Sequence, residues 1–452
     1  MAMGKRQPKQ AELFIATAEL PGSPGHPFYR KLNSVLGEAG FDPFVESLCA
    51  PFYSQAAGRL SIPPGTYFRM LFVGYFEGID SQRGIAWRCS DSRSLQQFLG
   101  LLPQEATPDH SSLTRVRQRL PEEVHDDVFG FVLKLAQSKG LLSGKTVGVD
   151  STFLEANAAM KTLVHRETGD DYKSFLRKLA VEAGLGDLDD EELRRFDRKR
   201  KGKTMSNKDW ESPSDPDSKI AKMKDGTTHL AYKAEHVVDL ESNLVLTAEV
   251  YPADQSDGDT LASSVVAAEI HLSDSGSEQT IEEIATDKGY HRLDLLADFA
   301  EAEYRTYIPE PEQKYDHTWP DKPEEQQRAY RNNRRRTRGA HGKKLQRLRS
   351  ERVERTFAHV CETGGGRRTW LRGLADVSKR YSMQVAAHNL GVVMRKLFGV
   401  GTPRSLQGAA RAGLCIFAIF QASYRAFRCD GALAVAVCLR RSHSIRFQTV
   451  NK

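Results

Sequence analysis

Apolar and polar positions change period several times along the chain, and each change marks an element. From residue 1 to about 140 the spacing is helical. In Ser61-Ile-Pro-Pro-Gly-Thr-Tyr-Phe-Arg-Met-Leu-Phe-Val-Gly-Tyr75, two prolines head an apolar, helix-spaced run, where a first turn tolerates a missing N–H. Ala106 to Leu120 predicts another helix, with Thr107 as N-cap, Pro108 at the first helical position and Asp109 in the first turn. At Lys145-Thr-Val-Gly-Val-Asp-Ser-Thr152 the period drops to two. Val147 and Val149 point to one face and Thr146, Gly148 and Asp150 to the other, which is the pattern of a buried strand ending in an acid.

Residues of about 160–226 lose this regularity. An acidic piece (Asp187 to Glu192), a basic one (Arg194 to Lys203) and a Pro/Ser stretch (Ser212 to Ser218) predict a surface excursion with little core and no tight packing. Order returns with two β-rich runs, Thr227–Asp239 and Leu244–Tyr251, whose short connection Leu240-Glu-Ser-Asn243 makes them a hairpin. A helical Asp259–Leu272, a short strand ending at Asp287, a helical Leu293–Ala302 and a strand at Tyr304–Pro309 follow. This order predicts an α/β class with a mixed sheet, preceded by an all-α region. Glu351 to Val360 is a helix by its spacing, with Val353, Phe357 and Val360 on one face. At about 100° per residue, Glu354 flanks that face and Glu351 lies nearly opposite it. Leu374–Leu397 is a last helix.

At 452 residues the chain exceeds one typical domain. The expected division is a helical region 1–140, an α/β region 141–398 carrying the insertion of about 160–226, and a tail 399–452 without clear periodicity. Six scattered cysteines form no C-x-x-C pair and point to neither zinc nor disulfides. The basic N-terminus has no signal-peptide stretch, and the longest apolar run, Gly413 to Phe420, is too short to span a bilayer. A cytoplasmic protein without membrane contact is expected.

Charge adds the candidate chemistry. The net charge is only +6, yet eleven of the twenty-five residues from Arg328 to Arg352 are Lys or Arg, and only Glu351 there is acidic. So dense a run repels itself unless an anion intervenes, so Arg334, Arg335, Arg336, Arg338, Lys343, Lys344, Arg347 and Arg349 are candidate phosphate contacts. Arg115, Arg117 and Arg119 form a second basic group, on the helix after Pro108. Three acids complete the set: Asp150 and Asp287 at strand ends and Glu354 on a helix flank. Two aspartates and a glutamate suit a pair of Mg²⁺ (or Mn²⁺) ions, which prefer hard oxygen ligands and serve in-line phosphoryl displacement.

Val147-Gly-Val-Asp-Ser-Thr152, Ala285-Thr-Asp-Lys-Gly-Tyr290 and Arg352-Val-Glu-Arg-Thr-Phe357, behind a helical N-terminal region, resemble the DDE transposases of bacterial insertion sequences. The resemblance covers roughly residues 50 to 397 and implies a ribonuclease-H-like catalytic domain. It places Asp150, Asp287 and Glu354 in a metal-binding triad. It also implies binding of terminal inverted repeats, cleavage and strand transfer into target DNA, and a homo-oligomer on double-stranded DNA. Members commonly carry an aromatic and an arginine before the glutamate and a lysine beyond it. Here Ser350 stands at the arginine position, with Arg347 and Arg349 close by, and Cys361 at the lysine position. The competing readings are a ribonuclease-H-like nuclease without strand transfer and a catalytically silent DNA-binding remnant.

Overall fold

A computed structural model of the chain describes residues 25–54, 60–201, 205–223, 226–312 and 322–406. The basic N-terminus and the tail beyond 406 lie outside the described residues. Seven helices come first: α1 (Pro27–Glu38), α2 (Phe41–Cys49), α3 (Pro64–Glu77), α4 (Gln82–Ser90), α5 (Arg93–Phe98), α6 (His110–Arg119) and α7 (Glu122–Ser138). Pro64 opens α3 at its first position, and Gly78 closes it in the left-handed region that a side chain would strain. Helix α6 begins later than its sequence suggests. Asp109 is its N-cap, with Oδ1 accepting from the Ser112 amide at 2.8 Å, so Thr107 and Pro108 stay outside. A carboxylate two residues beyond Thr107 reaches the third amide and wins the cap.

Strand β1 (Thr146–Glu155) is longer than predicted, so Asp150 lies in its middle rather than at its end. After the short strands β2 (Val164–His165), β3 (Trp210–Glu211) and β4 (Lys219–Lys222), with helices α8 (Tyr172–Glu182) and α9 (Asp190–Lys199) between β2 and β3, come β5 (Thr228–Asp239) and β6 (Val245–Pro252). These two form the expected hairpin, whose turn sets Asn243 at φ 65°. Helix α10 (Asp257–Asp274), β7 (Glu283–Ala285), α11 (Leu293–Glu301) and β8 (Arg305–Tyr307) follow. Among the described residues the central sheet has six strands. β5 lies antiparallel to β1 on one side and to β4 and β6 on the other, and β7 and β8 continue parallel to β1. The architecture is the mixed α/β one that the order of elements predicts.

The basic run is no loop. It folds as α12 (Glu324–Arg338) and α13 (Ala340–Phe357), which meet at Gly339. The helix expected to start at Glu351 is the last third of α13. Helix α14 (Leu374–Phe398) runs back against α3, α7 and β6.

Alternation along β1 sorts two cores. Val147 and Val149 pack with Leu261 and Val265 of α10 and with Leu295 and Leu296 of α11. Across the sheet, one apolar core joins α1–α7, α13, α14 and the inward residues of β5 and β6, so it crosses residue 140 without a break. The insertion is better packed than its composition predicts. Leu176, Ala180 and Leu193 bury a small cluster between α8 and α9. Trp210 is 3% exposed among His165, Tyr172 and Phe175, and Asp215 accepts from the buried Tyr232 hydroxyl at 2.6 Å. A few aromatics bury enough area to order a polar segment whose average hydropathy is low.

Candidate active site

Gly148 lets α13 approach β1. A Cβ built there would stand 3.0 Å from Val353 Cγ2 and 3.1 Å from Arg349 Cγ, so a side chain would push the helix off the strand. This close approach brings Arg349 beside Asp150, and its Nη1 donates to Asp150 Oδ2 at 2.8 Å, with both side chains largely buried. Parallel register pairs Gly148 with Ala285, so two residues further on Asp150 is level with Asp287. Asp287 follows the last paired residue of β7 by two positions, at the carboxyl end of that strand.

Asp287 leaves β7 as the cap of a short helical turn, and Oδ1 accepts from the Gly289 amide at 2.8 Å. The fold adds an acid that sequence reading missed. Asp257, in the first turn of α10, accepts from Ser151 Oγ at 2.9 Å and from the buried Lys233 Nζ at 3.3 Å. A Cβ on Gly289 would meet Asp257 Oδ2 at 2.9 Å and Asp287 Oδ1 at 3.0 Å, so these carboxylates face each other across that glycine. Acids in the first turn of a helix are common, and only the fold sets this one apart. Beneath it, Glu235 Oε2 accepts from Tyr290 at 2.8 Å and from Thr260 at 2.9 Å, with Lys233 Nζ at 4.0 Å. Burial raises the Glu235 carboxyl above its ordinary range and holds the Tyr290 hydroxyl protonated.

Glu354 is exposed on α13, its Oε1 accepting from Ser350 Oγ at 3.1 Å. Arg352, about 200° around the helix from it, donates to the Leu240 carbonyl beyond the amino end of β1. Glu354 therefore points away from Arg352 around the helix. Among the described residues no three His, Cys, Asp or Glu side chains form a ready metal cage. Asp150 is turned to Arg349 and Glu354 to Ser350. The donors are nevertheless the hard oxygens that Mg²⁺ takes, carried on β1, just after β7 and on α13.

The basic candidates divide. Arg334, Arg335, Arg338, Lys343, Lys344 and Arg347 are exposed along α12 and α13. Arg336 is partly buried and donates to the Thr306 carbonyl and hydroxyl, at 3.0 and 3.1 Å, which gives it a structural task. Arg349 belongs to Asp150 and not, as expected, to an outer phosphate-facing row. On α6, Arg115 and Arg119 are exposed, whereas Arg117 is 8% exposed and donates from Nε to Asp376 of α14 at 3.1 Å. Alternate residues on a helix lie about 200° apart, so three arginines at i, i+2 and i+4 cannot share a face. Cys361, at the expected lysine position, is buried beside Tyr381.

Comparison with protein families gives two matches. A profile described as Transposase domain (DUF772) matches residues 18–119, the helical region through α6. One described as Transposase DDE domain matches residues 186–390, a span that holds Asp257, Asp287 and Glu354 and begins after Asp150. No match among curated proteins accompanies them. Among the described residues no helix is long and apolar enough to cross a membrane.

Proposed function

The chain belongs to the DDE transposases of insertion sequences, DNA-binding polynucleotidyl transferases that depend on divalent metal, and from this premise we propose that Asp150, Asp287 and Glu354 are its metal-binding acids. The observation that carries the reading is register. Continuing the β1–β7 pairing by two residues would bring Asp150 level with Asp287, and α13, which carries Glu354, lies against β1 where Arg349 meets Asp150. A bound pair of Mg²⁺ or Mn²⁺ ions supplies activation of the attacking oxygen and stabilisation of the leaving one. Arg349 orients the Asp150 carboxylate. Lys233 and Ser151 hold Asp257 next to Asp287, which adds negative potential at the same edge. The exposed cations of α12 and α13 bind the backbone of double-stranded DNA, the terminal inverted repeats first and then the target. Two ends must be held together for joining, so the acting form is a homo-oligomer, in the bacterial cytoplasm where the DNA lies.

Mn²⁺ titration followed by electron paramagnetic resonance tests the acids without relying on turnover. Asp150→Asn and Asp287→Asn are each expected to weaken Mn²⁺ binding and abolish DNA cleavage while end binding is kept. Loss of cleavage with unchanged Mn²⁺ binding would remove these residues from the metal site. Labelled ends incubated with a plasmid separate the enzyme classes. Joined product is expected; cleaved ends alone would indicate a nuclease, and no product at all a silent remnant.

A further inference from the structure

Away from the acids, α3, the start of α4, α6, α14 and the segment around Trp370 enclose a cavity of about 270 Å³. This lies just under the roughly 300–1,000 Å³ of small-molecule sites. Its wall holds three cations, Arg117, Lys379 and Arg380, against one carboxylate, Asp80. Asp376, outside the lining, answers Arg117 and Lys379 at 3.1 and 3.6 Å, which still leaves one positive charge in excess. Arg117 Nη1 is buried without a hydrogen-bond partner, although the residue is 92% buried. Burial pushes Arg380 down to about 10, with Asp80 the attracting charge and Arg117 a repelling one. Water can satisfy a donor, but it does not neutralise a charge.

At the cavity wall, Trp370 is 45% exposed, and its Nε1 donates to Asp80 Oδ2 at 2.8 Å. The Arg368 guanidinium sits 4.7 Å from the indole ring. Trp370 is tied to the far end of β1, since its carbonyl accepts from Asn157 and Arg368 pairs with Glu155. Glu155 lies five residues along β1 from Asp150, about 17 Å at roughly 3.3 Å per residue. An exposed indole offers a stacking face, and cations behind it offer an anion site.

We propose that this cavity binds one unpaired nucleotide, the base stacked on Trp370 and the phosphate held by Arg117 and Arg380. A strand end of bound DNA and a free mononucleotide share this chemistry. The proposal rests on the DNA-binding reading for the strand end but not for the mononucleotide.

The test compares the full chain on a blunt duplex with the same duplex carrying one unpaired 2-aminopurine nucleotide, and on dAMP alone. Wild type is expected to prefer the overhang about tenfold and to quench the 2-aminopurine emission. Trp370→Ala and Arg380→Gln should each bring the ratio of overhang to blunt affinity close to one, and Trp370→Phe should keep the quenching. Thermal melting of each variant checks that it is folded. Competition by dAMP assigns the mononucleotide as ligand, and competition by overhang duplex only assigns the strand end. Equal binding of both duplexes with no dAMP binding overturns the proposal, as does a preference that survives both Trp370→Ala and Arg380→Gln. Failure to bind even the blunt duplex would instead strike the DNA-binding reading, leaving dAMP to decide the cavity.

Discussion

Helices α6 and α13 each carry a row of arginines, and each turns one of them inward. In α6 the inward residue is Arg117, whose guanidinium meets Asp376 and ties the N-terminal helices to α14. In α13 it is Arg349, which meets Asp150 on the central strand. The same arginine chemistry thus braces the frame in one place and, in the other, orients the acid proposed to bind metal. What differs is the acid within reach: Asp376 sits on a packing helix, Asp150 on the central strand. A charge run says that cations are present, and the partner inside says what each one does.

Substitution of the two inward arginines breaks or upholds this contrast most sharply. Arg349→Ala is expected to lower the DNA cleavage rate of the folded protein about 100-fold, or about 2.7 kcal/mol, and to lower the melting temperature modestly because it too removes a largely buried pair. Arg117→Ala should cost about 1–3 kcal/mol of stability by removing a largely buried pair, read as a lowered melting temperature, with the salt dependence of blunt-duplex binding unchanged. If Arg117→Ala left stability intact and Arg349→Ala unfolded the chain, the assigned roles would be exchanged.

Smaller effects concern the outward residues. Replacing Arg334, Arg335 and Arg338 by Gln should reduce the slope of log affinity against log salt by about 0.9 for each phosphate that is no longer neutralised. An unchanged slope would remove α12 from the interface. A pH effect belongs to the buried histidines that flank the shared core. Burial lowers His125 to about 4 and His388 to about 3, so both stay neutral when folded near pH 5 while an unfolded chain takes up protons from about pH 6.5. Stability should therefore fall as pH drops from about 6.5 toward 4, measured by denaturant midpoint. His125→Gln, which keeps a polar group near Tyr67, should flatten that slope by up to one proton.

Much of the fold is legible in the residues. Val147 and Val149 alternate with Gly148 and Asp150 because a strand offers two faces, and the hairpin after Asp239 needs only a short polar turn. The insertion misleads because hydropathy averaged over a segment hides Trp210, Phe175 and Tyr172, which act as a cluster. Asp109 displaces Thr107 as cap because two neighbouring side chains compete for the same amides. Asp257 gives no local signal, since an acid opening a helix is ordinary, and its place beside Asp287 depends on an approach across Gly289.

Sequence alone determined the periods, and through them the strands and helices, the α/β order, the family and the three acids worth watching. Local periodicity follows from backbone geometry, which each residue reports within a few positions of itself. Tertiary structure alone decided which arginine turns inward, which acid it meets, that Asp257 joins the edge, and that Trp370 stands over a cationic cavity. Those outcomes depend on contacts between residues tens to hundreds of positions apart, where burial and charge pairing outweigh any local preference.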